Sequence, residues 1–391
     1  MSSNALEKLR AAAEPSAILD TLEQTLLEQH DFHRWFDARM IRSRRELGLP
    51  ITQPTSLRDI PEAQETAWRK AYTDAAREAG FHFLRHNQLA DAWAYFRTIR
   101  EPQPVREAIE NLVQNSDGNP GTENDEVLNV ALYEGAHPVA GITLLLKTHG
   151  TCNTVTALSQ MIGQMTPAER RQAAAVMVRH LHADLLANVR RDVERRQPAL
   201  KPDLSLKQLI AGREFLFAEG NYHIDVSHLH SIVGFARHLH REDPELRLAI
   251  DMSLYGQQLS EHLRYPADVP FDDYYTASEQ FLQAVAGIDV DSGLGWFARK
   301  LQQEPDAPDQ RLIAFVLVDL AQRCGKTAEI LPLAAPHLSR LEDPNGFSFT
   351  ACCVESGRLD LLEQTALENQ DVLAMATVLL IQHAAKQPPA A

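Results

Sequence analysis

The chain has 391 residues, 44% of them apolar, and 38 Lys and Arg against 53 Asp and Glu give a net charge of −15. That balance speaks against a general nucleic-acid or anionic-membrane binder, because both require a basic surface. The apolar run Val139 to Leu146 is far shorter than the roughly 18 residues of a membrane span and reads as a core segment.

Met1 to Arg10 carries Glu7, Lys8 and Arg10 and no apolar signal core, so a cytoplasmic protein is expected. Ser16 to Gln29 places Ile18, Leu19, Leu22, Leu26 and Leu27 at helical spacing. Asp31 to Leu47 follows as a second helix, closed by Gly48 and Pro50. Pro61 opens the next. The clearest start is Thr166-Pro167-Ala168-Glu169, a capping box with proline at the first helical position. Beyond it, Ala174, Val178, Leu181, Leu185 and Val189 mark one apolar face. Asp225 or Ser227 caps a helix that turns Val226, Leu229, Val233, Ala236 and Leu239 inward. Loops are expected at Gln53 to Asp59, Asn115 to Thr122, Gln197 to Asp203 and Tyr265 to Asp273, and fraying at Lys386 to Ala391. Pro266 and Pro270 make the last loop the candidate boundary between two helical blocks. The expected organisation is a helical segment 1–60, a block 61–265 and a block 266–391. No alternating run pairs with another through a hairpin turn, so the fold is expected to be all-α.

Gly80, Phe83, Ala92, Phe96 and Pro104 fall at offsets of 0, 3, 12, 16 and 24. This spacing resembles the tetratricopeptide repeat, a helix–turn–helix unit of 34 residues. Ala76 and Ile99 depart from the pattern, and the match covers one unit. Shifted by 140, Gly220 and Pro244 follow Gly80 and Pro104, with His223 at the aromatic position of Phe83. Asp309 to Arg323, Thr327 to Leu341 and Arg358 to Asn369 read as further degenerate pairs. The resemblance implies a right-handed superhelix of antiparallel helix pairs, an α-solenoid with a concave groove.

Nine of the 16 histidines lie between His137 and His240, a window of 104 residues. Three strings stand out there. In Tyr133 to Pro138, Gly135 ends a helix and leaves Glu134 in its last turn, facing the negative end of the dipole; a cationic partner or plain solvent would account for it. His137 belongs to the same string. In Thr148 to Thr154, a tight turn between helices, His149 and Cys152 are three residues apart and suit a borderline metal or a base–nucleophile pair. In Tyr222 to His230, a buried His223 would need a partner, and Asp225 is the nearest carboxylate in sequence. His180 and Asp184, one turn apart, could share a ligand. His182 falls on an apolar face, and His238 and His240 lie near a helix C-terminus that favours a cation. Arg39, Arg42, Arg44 and Arg45, and Arg190, Arg191, Arg195 and Arg196, read as solvated faces, with acidic-partner docking as the alternative. No P-loop, dinucleotide or serine-hydrolase motif is present.

Two functions follow as expectations. The first is an interaction module that binds a peptide or protein partner in its groove. The second is a metal-binding protein or enzyme, with a divalent transition metal on His149, His223 and His228 and with Glu134 or Asp225 as general base. A subunit of a homo-oligomer is a third reading.

Overall fold

The computed structural model describes residues 2–58, 60–197, 200–340 and 347–386. Among them there is no strand, in keeping with the all-α expectation. The expected fraying beyond Lys386 and parts of the loops near 59 and 198–199 lie outside the described residues. The chain forms two compact units, residues 1–158 and 159–391. No described helix is long and apolar enough to cross a membrane.

The first unit contains α1 (Ser2–Ala11), α2 (Pro15–Glu28), α3 (Phe32–Glu46), α4 (Glu62–Arg85), α5 (Leu89–Thr98), α6 (Gln103–Asn115), α7 (Thr122–Leu128) and α8 (Pro138–Met161), the last helix ending just beyond the division. Helices α2 to α6 each pack on the next. Trp35, Phe36, Met40, Trp68, Ala76 and Ala79 form its core. The matched repeat unit is the α4–α5 pair. A Cβ added at Gly80 would stand 2.6 Å from the Phe96 ring, so the glycine is what lets the two helices close. Phe83, Ala92 and Phe96 are buried between them. Pro104 lies in the first turn of α6, a position that tolerates its missing N–H. The expected turn at Thr148 to Thr154 is a kink inside α8: Gly150 adopts φ 76 and ψ −179, a region open essentially to glycine.

Arg44 departs from the solvated-face reading. It is 2% exposed. Its guanidinium donates to the carbonyls of Pro50 (2.7 Å), Pro54 (3.0 Å) and Ser56 (2.5 Å) and so fixes the loop that follows α3. Arg42, beside it, pairs with Asp20 and Glu23.

The second unit contains α9 (Pro167–Arg196), α10 (Leu206–Ile210), α11 (Val226–Phe235), α12 (Glu245–Gln258), α13 (Tyr274–Val285), α14 (Val290–Gln303), α15 (Ala307–Cys324), α16 (Thr327–Leu338), α17 (Phe349–Glu355), α18 (Leu359–Asn369) and α19 (Val372–Lys386). The capping box at Thr166 and Glu169 is formed on both sides. Ala174, Val178, Leu181, Leu185 and Val189 are all buried, as their spacing predicts. Helix α9 packs on α10, α11 and α12, and from α12 to α19 each helix packs on its successor.

The shifted second copy of the repeat is not realised as a helix pair. Gly220 has φ +75 and closes a short 3₁₀ segment, Glu214–Gly220, whereas Gly80 lies inside a helix. Similar letters at the glycine therefore serve a chain reversal in one place and a helix crossing in the other. The segment Tyr265 to Asp273 is correctly a break in the helices, but the division between units falls elsewhere. Phe271 is buried and packs on Phe281 and Phe297, which ties the segment into the second unit.

Candidate functional site

The residues singled out in the sequence have local partners. Glu134 follows a π-turn, Asn129–Tyr133, and accepts from the Asn129 amide at 3.0 Å, a neutral partner rather than a cation. His137 lies 2.9 Å from Glu110. His149 Nδ1 lies 2.7 Å from Thr148 Oγ1, and Cys152 is an exposed free thiol. These four belong to the first unit. In the second, His180 stands 3.6 Å from Asp184, one helical turn on. Asp225 caps α11: its Oδ1 accepts from the N–H of Ser227 (2.8 Å) and of His228 (3.4 Å) and from Ser227 Oγ, and these bonds hold its carboxyl below the usual range. Among the described residues, no group of three or more His, Cys, Asp or Glu side chains is placed to hold a metal ion.

His223 is buried, with its side chain 5% exposed, but Asp225 is not its partner. Its Nε2 lies 3.3 Å from Asp192 of α9, and its Nδ1 lies 3.0 Å from the Tyr255 hydroxyl of α12. The His223 N–H donates to the same hydroxyl at 2.8 Å, and Asn188 donates to its carbonyl at 2.9 Å. Asp225 is spent on the cap, so the carboxylate comes from a helix 31 residues away in sequence. Every polar atom of His223 is engaged, which makes it a pin between α9, α12 and the turn before α11.

A second polar cluster, in the next turns of the same region, is not closed in this way. His230 lies on α11, and Arg237 lies seven residues on, in its 3₁₀ extension Ala236–His238. Both line a cavity of about 610 Å³ with Phe235, Phe271, Tyr274 and Phe315. The Arg237 guanidinium lies 3.6 Å from the Phe271 ring centre and 5.2 Å from that of Tyr274. The Tyr274 hydroxyl donates to the His230 carbonyl and accepts from Arg237. The His230 ring stacks on Tyr274 at 3.8 Å and 18°. A Cβ at Gly234 would fall 2.9 Å from the Tyr274 hydroxyl, so this glycine makes room for the arrangement.

What the cluster lacks is an acid paired with Arg237, although Asp268 also lines the cavity. Among the described residues no carboxylate pairs with Arg237, and its buried Nε and the His230 Nδ1 have no hydrogen-bond partner. Burial pulls the Arg237 guanidinium below its ordinary range, opposed by Tyr274. Burial and then Arg237 lower His230, so its imidazole is biased toward the neutral form. His238 is pushed down to about 4, by burial and then by Arg170, Arg323 and Arg237. The helix-end position was expected to favour a cation there; burial and three guanidinium neighbours outweigh a dipole contribution of about 0.3–1 kcal/mol.

Neither Arg237 nor Tyr274 stands out in the sequence reading. A signal was present. The positions three and four residues from Arg237 are Val233, Gly234, His240 and Arg241, none of them acidic, so no local ion pair was available to it. No protein family, curated protein or solved structure matches the chain.

Proposed function

We propose that the chain is a helical interaction module whose second unit seats an anionic group of a peptide or protein partner against Arg237. The observation that carries this reading is the guanidinium faced by two aromatic rings and one hydroxyl, with its Nε enclosed and no carboxylate paired to it among the described residues. Withdrawing an unpaired charge from water costs several kcal/mol. Cation–π contact returns about 2 kcal/mol in a desolvated setting. A partner's carboxylate supplies the missing opposite charge and meets the guanidinium as a charge-assisted hydrogen-bond acceptor. The apolar lining from Val316, Leu312 and Phe315 accommodates an adjoining apolar side chain, and the volume is in the ordinary range for a binding pocket.

The test uses 3-phenylpropanoate and its amide as probes, with the Arg237 Nε–Hε signal followed by nitrogen-15 NMR in the full chain. The acid is expected to shift that signal saturably and the amide to leave it in place. An unmoved signal with the acid, or equal shifts with both, contradicts the reading.

A further inference from the structure

Building on that seat, we infer that the partner is bipolar: a peptide segment in which the carboxylate bound at Arg237 is separated by an apolar residue from a lysine or arginine. The same cavity is lined by groups of opposite charge, the half-buried Arg237 and the exposed Asp268. On α15, Asp309, Leu312 and Val316 fall at positions i, i+3 and i+7, one helical face, and the latter two are lining residues. Asp309 therefore stands one turn beyond the apolar lining. Its carboxyl is raised by burial and then by Asp306, Glu304, Asp268 and Asp272, so these acids are close enough to repel one another.

Lys300 pairs with Asp272. Among the described residues no lysine or arginine pairs with Asp268, Glu304, Asp306 or Asp309. Like charges gathered at one rim are relieved by a cation from outside. The whole chain, at −15, favours the approach of a net-basic partner and opposes a purely acidic one. An acidic group at Arg237 and basic groups beside Asp268 and Asp309 satisfy both charges and the long-range field together. The carboxylate itself can come from an Asp or Glu side chain or from a peptide C-terminus.

The test is selection from a library of hexapeptides degenerate at every position, in free-acid and C-terminal amide forms, on the immobilised full chain. Retained peptides are expected to be enriched at least threefold in Lys and Arg next to an apolar residue. Selection confined to the free-acid form assigns the carboxylate to the terminus; selection of Asp or Glu in both forms assigns it to a side chain. The Asp268→Asn, Asp309→Asn double variant is expected to lose the Lys and Arg enrichment and keep the carboxylate requirement, whereas Arg237→Gln loses retention altogether. Retention that depends on Arg237 but shows no basic enrichment, or keeps it in the double variant, overturns the bipolar ligand and leaves the seat. Retention indifferent to Arg237→Gln, or no retention of any peptide, overturns both.

Discussion

Two arginines divide the molecule by kind. Arg44, in the first unit, is enclosed by three carbonyls of its own loop, within 3.0 Å in each case. Arg237, in the second, is enclosed by aromatic rings and leaves its Nε without an acceptor. The first is a structural device, because every direction in which the guanidinium donates is answered by the chain that surrounds it. The second has the same charge and an enclosed Nε, but the residue is half-buried and its electrostatic partner is missing. Burial alone thus does not separate scaffold from site. The separation lies in whether the buried group's bonding capacity is met internally.

The largest expected effect tests that contrast directly. Arg44→Met removes the charged donor from three part-buried loop carbonyls, and denaturant unfolding of the first unit is expected to show a loss of about 3–5 kcal/mol. A loss below about 1 kcal/mol would place Arg44 in the same class as Arg237. Next in size is Gly80→Ala, whose Cβ would enter the Phe96 ring; overpacking of this kind costs about 1–3 kcal/mol. Tyr255→Phe removes the hydroxyl that meets both the N–H and the ring of His223. It is expected to cost about 1–2 kcal/mol in the second unit, with partner binding retained, since His223 is a pin rather than part of the seat.

A further effect is in acid. His182, His230 and His238 of the second unit all have lowered pKa values, led in each case by burial, with His238 at about 4. Among the described residues the first unit has one such group, His82. Below an unfolded-state value of about 6.5 the unfolded chain binds protons that these buried rings refuse. Stability should therefore fall as pH drops from about 6.5 toward 4, more steeply in the second unit. Melting curves of both units across that range check it, and His238→Phe should flatten part of the second unit's slope.

Much of the fold was legible in the sequence. The capping box at Thr166 and Glu169 and the apolar face from Ala174 to Val189 each follow from local chemistry, and each stands as predicted. What failed were inferences that needed distance. Asp225 was the nearest carboxylate to His223 along the chain, but its cap bonds to α11 took precedence, and Asp192 reached across from α9. Gly220 matched Gly80 by letter while its backbone turns at positive φ. The histidine-rich window holds His230 and Arg237 of the candidate site, though for another reason than metal spacing. His230 matters there through its place beside Arg237, and Phe271 and Tyr274 came from a segment that composition marks only as a break.

The central claim is that Arg237 is held for a partner at a cost to the free chain. Thermal denaturation of wild type and Arg237→Met, each with and without saturating 3-phenylpropanoate, tests it in one experiment. The account predicts that the acid raises the wild-type melting temperature, while Arg237→Met melts at or above the unliganded wild type and ignores the acid. A wild type unmoved by the acid, or an Arg237→Met variant that melts several degrees lower, would contradict it.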